Sequence, residues 1–133
     1  MSILYTGIFF SAETQNKLKS LATEVFGSFY DKVQTNHITL NFGDAPSDLV
    51  GKKVEFKVVG YFKDENAQVF KVDLDVPSKK NPHITVSHSK SVTPFYSNEV
   101  VEKGNFYAFD NPVTLPGTIG YFTTNGIVLD AQV

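Results

Sequence analysis

Two tetrapeptides in this chain are nearly the same, His37-Ile38-Thr39-Leu40 and His83-Ile84-Thr85-Val86. On a strand alternate residues share a face, so each tetrapeptide sends its His and Thr one way and its two aliphatics the other. The aliphatics anchor the strand in a core and the His/Thr pair faces a cleft. Imidazole has an unperturbed pKa of about 6.5, so one His can begin neutral while the other carries a proton. The neutral one takes a proton from an attacking water or hydroxyl, and the protonated one gives a proton to the leaving oxygen. Two Thr hydroxyls can donate to the non-bridging oxygens of a phosphate held between them, where charge grows in the transition state. Such a set needs no metal and suits phosphodiester chemistry, a strained cyclic phosphate most of all.

Chance is the competing explanation. Thr fills 11 of 133 positions, so a given His has a Thr two residues on about 8% of the time, and two of the three histidines do so about 2% of the time. On spacing alone, surface histidines on Thr-containing strands remain the bland alternative. The third histidine, His88, is an odd number of residues from His83, which on a regular strand turns it to the opposite face and leaves it no role.

The elements that must position these residues can be read from period and punctuation. Residues 3–10 are β-branched and aromatic and read as a buried strand. Ser11 offers an N-cap, Glu13 suits the first turn, and Leu18, Leu21, Ala22, Val25 and Phe26 line one face of a helix over 12–26 that Gly27 ends. Period two then predicts strands at 37–42, 53–63, 67–75 and 83–88, with Asp64-Glu65-Asn66 as a hairpin break. A short helix capped by Ser97 falls within 94–103. Four further strands are expected at 106–110, 112–115, 118–123 and 126–131, divided by Pro112, Pro116, Gly117, Gly120 and Gly126. The fold class is α+β: antiparallel sheet with one or two outer helices, in one domain over residues 1–133.

Composition narrows the function. Hydrophobic residues at 41% and charged ones at 20% are those of an ordinary soluble globular chain, and 14% aromatics point to a core of aromatic strands. A net charge of -2 and a pI near 5.9 exclude an extended duplex-binding surface but not recognition of a nucleic-acid end. With no cysteine there is no disulfide, thiolate nucleophile or Cys-held metal. No signal peptide and no apolar run approaching about 18 residues is visible, so a cytoplasmic, membrane-free monomer is expected. Gly51-Lys52-Lys53 lacks the upstream glycine of a phosphate-binding loop, since position 46 is Pro46, and reads as a turn into a strand.

The paired tetrapeptides resemble the signature of the two-histidine (2H) phosphoesterase superfamily. Tyr5-Thr6-Gly7-Ile8, the helix that follows, and Asn81-Pro82-His83-Ile84-Thr85-Val86 with Ser97-Asn98 look like the cyclic phosphodiesterase domain of fungal-type tRNA ligases. The likeness covers roughly residues 3–101. It implies a bilobal fold, two small antiparallel sheets facing a central cleft. It also implies hydrolysis of nucleotide or RNA 2′,3′-cyclic phosphate ends, in that branch to a 2′-phosphate, with no cofactor and no metal. Catalytic roles carry over to His37, Thr39, His83 and Thr85, with His83 as base and His37 as acid the working choice. The chain is shorter than most of the superfamily, which implies an open site, and it carries no kinase or ligase module. Substrate-binding candidates are Tyr5 and Tyr96, with Phe95 and Tyr121 as further stacking candidates; Tyr5 is equally at home in a core, and aromatics such as the other three are more often core. Lys79-Lys80 reads as a solvated loop that can steer an anion. Two alternatives stand: the same chemistry on 3′,5′-linked cyclic nucleotides or oligonucleotides, as in viral enzymes that degrade immune signals, and an inactive nucleotide- or RNA-end-binding module.

Overall fold

A computed structural model of the chain describes residues 3–42, 49–76, 78–103 and 106–129. In chain order they form β1 (Ile3–Phe9), α1 (Ala12–Phe26), β2 (Lys32–Val33), β3 (His37–Phe42), β4 (Lys53–Lys63), β5 (Ala67–Leu74) and β6 (His83–His88). A 3-10 turn at Pro94–Tyr96, α2 (Ser97–Lys103), β7 (Tyr107–Thr123) and β8 (Gly126–Val128) follow. All strand pairs are antiparallel, so the α+β class holds. α1 starts where Ser11 Oγ accepts the Thr14 N–H at 3.2 Å and stops at Gly27, whose φ of 79° a side chain would strain. Its Leu18 and Ala22 are buried, with Leu21, Val25 and Phe26 packed beside them. Among the described residues no helix is long and apolar enough to cross a membrane.

Two separate small sheets were expected; instead one hydrogen-bonded sheet runs β2-β6-β5-β4-β7-β1-β3, with β8 beside β7. The long strand β7 is the cause. Residues expected as three strands form a single 17-residue strand that pairs with β4 and then with β1, fusing the halves. Pro116 does not break it, because its carbonyl turns away from β4 to accept from Thr14 Oγ1 at 3.3 Å, and its missing N–H lies on that same strandless side. Gly117 and Gly120 are required by close approach: a Cβ would stand 2.3 Å from Ile8 Cγ2 at the first and 2.6 Å from the Val128 carbonyl oxygen at the second. Residues 130 and 131, expected at the end of the last strand, lie outside the described residues, as does position 46.

The two halves repeat one plan. On β1 and β3, Phe9, Ile8 and Gly7 face His37, Ile38 and Thr39, the register then skips Leu40, and Thr6 and Tyr5 face Asn41 and Phe42. On β5 and β6, Lys71, Phe70 and Val69 face His83, Ile84 and Thr85, the register skips Val86, and Gln68 and Ala67 face Ser87 and His88. Each motif thus has a bulge immediately after its Thr. The sheet also curls until β3 touches β6. The N–H groups of Gln34 and Thr35 donate to the carbonyls of Val86 and Thr85 at 2.8 and 2.9 Å, and the Lys79 N–H donates to Leu40. Thr35, at φ 60°, then turns the chain into β3. Ile38, Leu40, Ile84 and Val86 meet in one core with α1, each stabilising the fold by about 1.5–3 kcal/mol, while α2 covers a smaller cluster around Val69 and Val101.

Candidate active site

The aliphatic half of each motif being buried, the polar half has one place to go. His37, Thr39, His83 and Thr85 line a single cavity of about 270 Å³ together with Tyr5, Phe42, Lys79, Phe95 and Asn98. A larger concavity along the outer face of α1, about 650 Å³, is lined by residues such as Glu13, Lys17 and Val113 and gathers no reactive group.

Hydrogen bonds decide which ring nitrogen keeps its lone pair. His83 Nδ1–H donates to the Asn81 carbonyl at 2.9 Å, so Nε2 holds the free lone pair. Asn81 aims that carbonyl from a left-handed φ of 56°, a conformation Asn tolerates. His37 Nδ1–H donates to Asn36 Oδ1 at 2.6 Å, and Nε2 accepts from the Thr39 hydroxyl at 3.2 Å. The Thr85 hydroxyl donates to Ser97 Oγ at 2.9 Å. Ser97 was expected to cap α2; it is instead the first helical residue, with φ -55° and ψ -30°, and its side chain serves Thr85.

Both imidazoles are held neutral. Burial, and then the facing His83, lower the pKa of His37 to about 4. Burial also lowers His83 to about 4; its bond to Asn81 opposes this and the nearby Lys79 ammonium adds to it. The cation beside His83 disfavours its protonation, which suits a base; each Nδ1–H rests on an amide oxygen, Asn36 Oδ1 for His37 and the Asn81 carbonyl for His83.

Tyr5 belongs to the site: its ring stacks on His37 with centroids 5.0 Å apart and on Phe122 at 5.1 Å. Burial pushes its phenol up to about 12, so it remains an O–H donor. Tyr96 does not belong. Its hydroxyl donates to Asp64 Oδ2 at 2.6 Å and its ring packs on the α2 cluster, because the 3-10 turn sends Phe95 to the cavity and Tyr96 away from it. Tyr121 is core.

His88 shows what the alternation rule missed. Ala67 and Val69 share a face of β5 and oppose His88 and Thr85, so the bulge at Val86 carries His88 onto the face of Thr85. It is nevertheless engaged, Nδ1–H donating to the Ser89 carbonyl at 2.9 Å and Nε2 accepting from the Gln34 amide at 3.2 Å. Among the described residues no three His, Asp or Glu gather as metal ligands. The residues that sequence reasoning underweighted are Lys79 and Asn98. Lys79 Nζ donates to Asn98 Oδ1 at 3.0 Å and lies over the Phe42 ring, 5.8 Å from its centroid, whereas Lys80 is exposed. Nothing in the sequence distinguishes the two lysines. No family model matches this chain, and no curated protein matches it.

Proposed function

We propose that this protein is a metal-independent phosphodiesterase that opens nucleotide or RNA 2′,3′-cyclic phosphate ends by two-histidine general acid/base catalysis. The observation that carries the reading is the meeting of both His/Thr pairs in one cavity, each imidazole oriented through Nδ1 so that Nε2 is the reacting atom. The register repeated on either side of that cavity supports the bilobal two-histidine phosphoesterase resemblance.

In the step so assigned, His83 Nε2 takes a proton from water as its oxygen attacks phosphorus. The P–O3′ bond breaks, and protonated His37 gives its Nε2 proton to O3′, leaving a 2′-phosphate. Thr39 and Thr85 donate to the non-bridging oxygens. Thr39 is released for this when His37 takes its second proton on Nε2, and Thr85 when Ser97 reverses their hydrogen bond. The phosphate anion itself raises the pKa of His37 and so loads the acid on binding.

The test is turnover, in EDTA, of a short RNA ending in a 2′,3′-cyclic phosphate. Ring opening by wild type and not by His83→Ala is expected, with a 2′-phosphate product. Loss of activity in EDTA counts against the reading. A rate at least about tenfold higher on a 3′,5′-linked cyclic nucleotide transfers the same residues to that substrate, and a ligand bound but recovered unchanged leaves a binding module.

A further inference from the structure

A ribose 2′,3′-cyclic phosphate has two arms. The base leaves from C1′, beside C2′, and the 5′ chain leaves from C4′, beside C3′, so the arms diverge from a phosphate held between O2′ and O3′. The site diverges in the same way. Tyr5, His37, Thr85 and Pro94 line both the catalytic cavity and an adjoining one of about 280 Å³. The adjoining cavity is also lined by Phe9, Phe122, Gln34 and Asn36, and among the described residues no Lys, Asp or Glu lines it. Gln34 spends its N–H on His88 and Asn36 its carbonyl on His37, which leaves Gln34 Oε1 and Asn36 Nδ2 to meet a base edge.

The opposite flank differs in charge. Lys79 is half-buried there between Asn98 and the Phe42 ring, and among the described residues no carboxylate meets it, the ion pair formed being Lys17–Glu13 on α1. A partly desolvated ammonium without a counter-ion is complementary to an anion. The reacting phosphate is already served by two imidazoles and two hydroxyls; Lys79 lies near enough to His83 to bear on its charge, but its own contacts are Asn98 and the Phe42 ring. Beyond it the exposed rings of Phe42, at the end of β3, and Phe95, in the 3-10 turn, stand 5.8 Å apart.

We propose that the Lys79 flank is a subsite for the internucleotide phosphate that precedes the reacting ribose. Phe42 and Phe95 stack the penultimate base, and the uncharged cavity takes the terminal one. The substrate is then the end of an oligonucleotide rather than a mononucleotide. This rests on the cyclic-phosphate reading above and names the substrate class of the same site.

The experiment compares kcat/KM for a diadenylate ending in 2′,3′-cyclic phosphate with that for adenosine 2′,3′-cyclic phosphate. Wild type is expected to favour the dinucleotide by about tenfold or more. Lys79→Met brings that ratio close to one and Lys79→Arg retains most of it. Phe95→Ala, at a position 63% exposed and therefore safe for folding, also lowers the ratio. A wild-type ratio near one overturns the subsite, and so does an equal loss on both substrates in Lys79→Met, which puts the ammonium on the reacting phosphate. If wild type opens neither ring, the phosphodiesterase reading fails by itself. The subsite is then judged by calorimetric Kd for the dinucleotide and mononucleotide 2′-phosphates: the same preference and the same loss in Lys79→Met uphold it, and equal affinities overturn it.

Discussion

At the residue scale the two imidazoles set the pH behaviour. With both pKa values lowered to about 4, free protein at neutral pH rarely holds the proton that His37 needs to act as the proposed acid. Above that pKa the protonated fraction falls about tenfold per pH unit, so kcat/KM should decline with a slope approaching -1 between pH 5 and 8. Bound phosphate raises the pKa of His37, so the optimum of kcat should lie at higher pH than that of kcat/KM; coincident profiles would contradict the assignment. His37→Ala and His83→Ala should each lower kcat by about 10²–10⁴. Neither should cost much melting temperature, since both side chains line a cavity rather than fill the core. Thr85→Val keeps the shape and removes one donor to the phosphate, and should lower kcat by about 10²–10³ in single-turnover assays.

At the element scale the site depends on two bulges and on how closely the strands approach. Gly7 stands opposite Thr39, and a Cβ there would lie 2.6 Å from the Ile38 carbonyl oxygen, a backbone atom that cannot step aside alone. Gly7→Ala should therefore push β3 away from β1, costing about 1–3 kcal/mol in urea unfolding and displacing His37 and Thr39 enough to lower kcat. Unchanged stability and rate in that variant would show the strand pair to be slack. The elements themselves were largely legible. The Ser11 cap, the apolar stripe from Leu18 to Phe26 and Gly27 define α1 as observed, and period two places β3 through β6 within a residue. β7 was not legible as one strand, because Pro112, Pro116 and the glycines read locally as breaks. Pro112 falls where the ladder to β4 jumps from Val113 to Ala108, Pro116 has an unpaired side, and Gly117 and Gly120 allow tight packing.

At the scale of the whole molecule, two histidines buried neutral link stability to pH. Each has a folded pKa below its unfolded value of about 6.5, so below that pH the unfolded chain binds more protons than the folded one. Their neutral burial is accommodated in full above about 6.5, and stability should fall as pH drops from there toward 4, by up to about 1.4 kcal/mol per pH unit for each. Chemical denaturation across that window measures the effect, and His37→Ala together with His83→Ala should flatten it. The curl that brings β3 against β6 is what makes two distant motifs one site, and it is secured by backbone bonds from Gln34, Thr35 and Lys79 to the motif carbonyls of Val86, Thr85 and Leu40.

The chain's own residues determine whatever acts over a few neighbours. Alternation turns His37 with Thr39 and His83 with Thr85 to a polar face and their aliphatics to a core. Capping bounds α1, and the repeated tetrapeptide marks the two His/Thr pairs on which the proposed acid/base chemistry rests. Tertiary structure decided the rest, because it depends on partners far away in sequence. The skipped register at Val86 turned His88 to the cleft side of β6, and the same skip at Leu40 brought Phe42 to the rim. The 3-10 turn chose Phe95 over Tyr96, the curl drew Lys79 into the cavity and left Lys80 in solvent, and β7 joined the two expected sheets into one. A side chain's face follows from its own strand only while the ladder stays regular; where a neighbouring strand imposes a bulge, the pairing sets it.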